Sequence, residues 1–173
     1  MKKLGILVAA FALSVSVYAS SLAIPWFVDT APAANGVPGK AAGVTGIIVL
    51  KSNRTDTITA SIDYFASDGT EMGPFGAAAT FQISPLSSVS FRPVADDPSS
   101  VAGGQESPAG QAVPNRPLGA SGPAAKKNGS ATVSWNGGNA DIQGLVTYFQ
   151  TASDPSTGAT VTFSYGSLLP PGF

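Results

Sequence analysis

"TITASIDYF", residues 57–65, decides the fold. Ile58, Ala60, Ile62 and Tyr64 alternate with Thr57, Thr59, Ser61 and Asp63. Successive side chains of a β-strand point to opposite faces, so a period of two describes a strand with one buried and one wet face. A helix would place its apolar residues three and four apart, and no segment after residue 19 has that spacing convincingly. Upstream, "VTGIIVLKS" (44–52) is a nearly continuous apolar run, the pattern of a central strand buried on both faces, and "NRTD" turns the chain between the two. "AIPWFV" (23–28) is a first strand or an extended arm, followed by a Gly/Pro/Ala loop. Downstream, "ASDG" (66–69) is a turn with Gly69 suited to positive φ, and "ATFQI" (79–83) and "SVSFR" (88–92) predict a hairpin around "SPLS". "SATVSW" (130–135), "IQGLVTYFQ" (142–150) and "ATVTFSY" (159–165) follow, parted by the turns "NGGN" and "SDPSTG". The tail "LLPPGF" is too rich in proline for a central strand.

Seven or eight short strands with closely spaced turns predict an all-β fold, an antiparallel β-sandwich. One domain is expected over residues 20–173, interrupted by a long Pro/Gly-rich loop from Pro93 to about Asn128. That loop is read as a surface segment outside the sandwich core, anchored by Val113 and Leu118, and as the place for a partner to bind. The expected core draws on Trp26, Phe27, Ile47, Val49, Ile58, Ile62, Tyr64, Phe81, Ile83, Phe91, Val133, Trp135, Leu145, Tyr148, Phe149 and Phe163.

The composition excludes much chemistry. The 173 residues contain no histidine and no cysteine. Ser-His-Asp triads, cysteine nucleophiles, thiolate or imidazole metal sites, haem ligation by histidine or cysteine, and disulfides are therefore ruled out. Carboxylates and carbonyls remain for calcium or magnesium, but the ten acidic residues are scattered, mostly in turns. The reading is no metal, no cofactor and no enzyme. Only 11% of residues are charged and the net charge is -1, so nothing favours nucleic acid.

Residues 1–19 read as a secretory signal: Lys2 and Lys3, the apolar stretch "LGILVAAFALSVSV", and a small-x-small cleavage site at "VYA". Cleavage is expected after Ala19, with Ala23 as the second option. The apolar stretch is short for a membrane span of about 20 residues. The expected location is periplasmic, cell-surface or extracellular. Removing Lys2 and Lys3 leaves seven basic residues against ten acidic ones, a net charge of -3.

"AIPWF", "GIIVLKSN", "ITASIDYF", "GPFGAAATFQISPLSSVSFR", "DDP", a Pro-rich loop and two closing strands follow one another in this order. In this the chain loosely resembles the β-sandwich of the sensory rhodopsin transducer family. It also resembles uncharacterised secreted bacterial proteins with an Arg-Pro, Asp-Pro, Val-Pro-Asn signature, here Arg92-Pro93, Asp97-Pro98 and Val113-Pro114-Asn115. The likeness implies a β-sandwich. It does not bring the rhodopsin partner with it, since transducer proteins are cytoplasmic and this chain starts with an export signal.

Candidate binding residues are Arg92, Asp96, Asp97, Trp26 and Asn115. In "RPVADDPSS" (92–100), Arg92 could meet an anion or sugar hydroxyls and the aspartates a cation. The plainer account is a turn, in which Arg92 pairs with Asp96 or Asp97 and the Asp-Pro step redirects the chain. Trp26, Trp135, Tyr148 and Tyr165 could form a stacking platform for sugars, with core packing favoured for Trp135. Two roles are left open: a self-assembling or protein-binding surface module, and a carbohydrate-binding module.

Overall fold

The computed structural model describes residues 19–28, 43–93, 113–116, 128–154 and 156–171. Among the described residues nine strands form two antiparallel sheets: β1 (Ala19–Val28), β2 (Gly43–Ser52), β3 (Ile58–Ala66), β4 (Glu71–Gly73), β5 (Thr80–Ile83), β6 (Ser88–Phe91), β7 (Asn128–Asn136), β8 (Ile142–Ser153) and β9 (Thr160–Leu168). The first sheet runs β1-β7-β3, with β4 and β5 sharing the far edge of β3. The second runs β6-β2-β8-β9. The chain is thus an all-β sandwich, and the described residues include a 3-10 turn at Gly76–Ala79.

The alternation in β3 holds residue by residue. Ile58, Ala60, Ile62 and Tyr64 are buried, and Thr59, Ser61 and Asp63 face outward. β7 repeats the pattern, with Ala131, Val133 and Trp135 inward and Ser130, Thr132 and Ser134 outward. From the second sheet, Ile48, Leu50, Val89, Phe91, Ile142, Val146 and Tyr148 close the core. Each such side chain, fully buried, stabilises by about 1.5–3 kcal/mol.

Three expectations are corrected. "ATFQI" and "SVSFR" do not form a hairpin: β5 pairs with β3 and β6 with β2, so the intervening turn carries the chain from one sheet to the other. The turn is fixed by Leu86 at φ 54° and by its N–H donating to Arg54 O at 2.9 Å. Second, β2 is central but buried on one face only. Ile48 and Leu50 enter the core, while Ile47 and Val49 lie half-buried on the outer face. An unbroken apolar run carries no phase, so the sequence could not say which set points inward. The same outer face holds half-buried Phe149 and exposed Leu145. Third, Trp26 and Phe163, expected in the core, are 45% and 59% exposed.

Val113 anchors the long loop as expected, but the segment around it is not outside the core. Val113 is fully buried in the core, and Arg116 is 2% exposed. Tyr64 Oη donates to Pro114 O at 2.9 Å, and Arg116 Nε donates to Pro93 O at 3.0 Å. Residues 113–116 are therefore part of the sandwich. Leu118 lies outside the described residues.

Two turns are tied by one cation. Arg54 Nε and Nη2 donate to Asp56 Oδ1 and Oδ2 at 2.8 and 2.5 Å, and Nη1 reaches Asp141 Oδ2 at 3.5 Å. The Asp56 bond and charge hold the guanidinium above its ordinary value, and Arg54 in turn holds the Asp56 carboxyl low.

Candidate interaction surface

β1 lies over β2 and β8, and β9 is left beyond it. The local sequence explains how the boundary is marked. Proline at position 25 has no N–H for the ladder, and the β1–β7 register slips between Ile24 and Phe27. Such a bulge re-aims the side chains beside it. Phe27 enters the core, edge-on to Tyr64 with ring centroids 6.0 Å apart. Trp26 instead packs at the margin on Tyr148, with centroids 5.4 Å apart and planes tilted by 39°. Tyr148 Oη donates to Trp26 O at 2.5 Å. Glycine at position 46 makes room for this, because a Cβ there would lie 3.3 Å from both the Tyr148 ring and Val28 O. Burial pushes the Tyr148 phenol above its ordinary ionisation range, with a smaller contribution from Tyr165.

Tyr148 pairs across the ladder with Tyr165 of β9, ring centroids 5.0 Å apart and planes tilted by 31°. Trp26, Tyr148 and Tyr165 thus make a continuous aromatic row. Val161 and Phe163 share the face of Tyr165 by the strand's period of two. In β9, every side chain from Val161 to Leu168 is exposed, including Phe163, Tyr165 and Leu168 at 59%, 56% and 81%. The β8–β9 register runs unbroken from Leu145↔Leu168 to Ser153↔Thr160. The strand holds no charge and no proline.

Two concavities among the described residues have no acid or base in their walls. One of about 260 Å³ lies beside Trp26 and is lined by Pro25, Ala66, Ser67, Gly69, Gly129 and Ser130. Another of about 510 Å³ lies between the tail and the start of β8, with Leu22, Ile142, Leu168, Leu169 and Pro171 in its walls. Among the described residues no three acidic side chains gather, and no helix is long and apolar enough to cross a membrane.

The expected site residues divide. Trp26 joins the aromatic row with Tyr148 and Tyr165, while Trp135 is 3% exposed and donates from Nε1 to Gly138 O at 3.1 Å. Arg92 is 1% exposed, so it is a buried structural group at the end of β6 and not an open anion contact. Its neighbour Pro93 accepts from Arg116, which links Arg92 to the Val113–Arg116 segment. Asn115 is half-buried on that segment. Asp96 and Asp97 lie outside the described residues. Sequence reasoning missed Phe163 and Leu168 as surface residues. The available signal was the uncharged stretch that follows Asp154.

Comparison with protein-family models, with curated proteins and with solved structures finds no match to this chain. Its role must be read from this surface.

Proposed function

We propose that this is an exported, non-catalytic interaction module that docks a partner strand along the free edge of β9. One observation carries the reading: β9 is a regular nine-residue edge strand with apolar side chains exposed and, among the described residues, no protective device. An unpaired edge is a template for another strand, and proteins that avoid such pairing shorten the edge or give it charge, proline or a bulge. Export fits the pairing of β1. Ser20 Oγ donates to Gly137 O at 2.6 Å and Leu22 is 3% exposed in the core. Cleavage after Ala19 keeps both groups, whereas cleavage after Ala23 removes them. The mature chain recovered from the cell envelope or medium should start at Ser20 by intact mass; a start at Ile24 would contradict this.

The test of the surface is a photoreactive phenylalanine analogue at position 168, with one at position 80 on the first sheet as control. In the cells that make the protein, the analogue at 168 should give a discrete adduct and that at 80 none. Equal labelling at both, or none at either, would count against β9.

A second reading has its own support. Trp26 and Tyr165, exposed on either side of buried Tyr148, are rings of the kind that stack on sugars. It predicts retention on insoluble polysaccharide that is lost in Trp26→Ala; equal retention of both proteins would dismiss it.

A further inference from the structure

We infer that the strand received by β9 is β9 of a second copy of this chain, antiparallel about a two-fold axis through Ser164. This rests on the reading of β9 as the docking edge and names its occupant. In an antiparallel ladder, residues alternate between exchanging both backbone bonds with the neighbour and exchanging none. Leu169 N donates to Gly144 O at 2.9 Å, and Asp154 N donates to Ala159 O at 2.7 Å. Both bonds fall on odd-numbered positions, Ala159 and Leu169, one residue beyond each end of the strand, and both continue the β8–β9 register. Phe163 and Tyr165 therefore spend their backbone groups on β8, and Thr162, Ser164 and Gly166 turn theirs to the open edge.

Ser164 is the midpoint of Thr160–Leu168. Full overlap of two antiparallel copies places it opposite itself, and it is one of the residues whose backbone groups face outward. Every outward-facing residue then meets another, Thr162 opposite the second copy's Gly166. On the aromatic face the same register sets Phe163 against the second copy's Tyr165. Opposed aromatics at non-hydrogen-bonded positions are the closely spaced pairs of a sheet. The aromatic row then continues across the axis. No charged side chain occurs after Asp154, so two copies approach without like-charge repulsion. The product is one sheet of eight strands with β9 no longer at an edge.

The chain has no cysteine, so single cysteines report the register cleanly. Opposed residues in a hydrogen-bonded pair have Cα atoms about 5.5 Å apart, within disulfide reach. The two copies of residue 162 lie four positions out of register, about 13 Å apart. Purified mature Ser164→Cys should therefore oxidise to a covalent dimer on the order of tenfold faster than Thr162→Cys. Ser164→Pro, which removes only an outward N–H, should keep the circular dichroism of the parent and abolish its dimer by light scattering. Equal cross-linking of the two cysteine variants, or dimers that survive Ser164→Pro, would overturn the two-fold pairing. A monomeric parent without selective cross-linking, together with a position-168 adduct to a different protein in cells, would overturn the second copy and keep the edge. Absence of both would dispose of the edge as well.

Discussion

Ser21, Ser134, Ser61 and Thr80 stand side by side across the outer face of the first sheet, whereas the corresponding row of the second runs from Ser90 to Val49, Leu145 and Leu168. The edges differ in the same sense. The first sheet ends on one side in short β4 and β5. On the other it ends in β1, which has Pro25 and a bulge and receives the tail through Ala23 N–H···O Pro170 at 3.2 Å and a bridge from Leu22 to Pro171. The second sheet ends on one side in short β6 and on the other in β9, which among the described residues has none of these. One sheet has a polar outer row and guarded edges, and the other carries apolar side chains out to an unguarded edge strand.

Matched substitutions in the two sheets sharpen this contrast. Phe81→Ala, in a side chain 5% exposed, should cost about 3–5 kcal/mol in urea unfolding. Phe163→Ala should cost under about 1 kcal/mol, because a ring this exposed leaves no cavity, while weakening association. Comparable losses of stability at both sites would erase the distinction. Leu169→Ala, which loosens the latch over β1, should cost about 2 kcal/mol. It should also raise aggregation by baring the protected edge, read by light scattering at fixed concentration. Val113→Ala should cost about 2 kcal/mol; no loss would return residues 113–116 to the surface.

The pH dependences are smaller. The Tyr148 phenol ionises later in the folded chain than in the unfolded one. Stability is therefore complete below about pH 10, where free tyrosine ionises, and falls as pH rises further. Tyr148→Phe should flatten that alkaline decline. Asp56 runs the other way: its lowered value gives a contribution present above the ordinary carboxylate range and lost as pH falls through it. The pair is exposed, so Arg54→Ala should have the least effect, and salt should reduce it further.

Strand positions were legible where polar and apolar residues alternate, as in 57–65 and 130–135. They were legible in type but not in phase at 44–52, where Ile47 and Val49 were expected inside in place of Ile48 and Leu50. The partner of each strand was not legible at all. "SPLS" looks like a hairpin turn because local chemistry describes the bend and not which sheet the next strand joins. Phe163 shows the same limit. Its alternation correctly puts it on the face of Tyr148, but whether that face is covered depends on how far β1 reaches. Of the candidate site, the sequence indicated Trp26, Tyr148 and Tyr165 together. It could not reveal that Arg92 is buried, because burial there depends on Val113–Arg116 packing back from a distant point in the chain.

The pairing of β1 with β7 and of β2 with β8 bears on when the molecule can form. Leu22 faces Val133 and Ile48 faces Val146, partners separated by about a hundred residues of chain. Neither sheet has its central ladder until the chain beyond Asn128 is present, and the latch on β1 waits for Pro170 and Pro171. Folding of so non-local a topology belongs in the millisecond-to-second range, not the microseconds of a helical bundle. A chain threaded through a membrane N-terminus first would remain extended until its last strands emerged, and would acquire its free edge only on the far side.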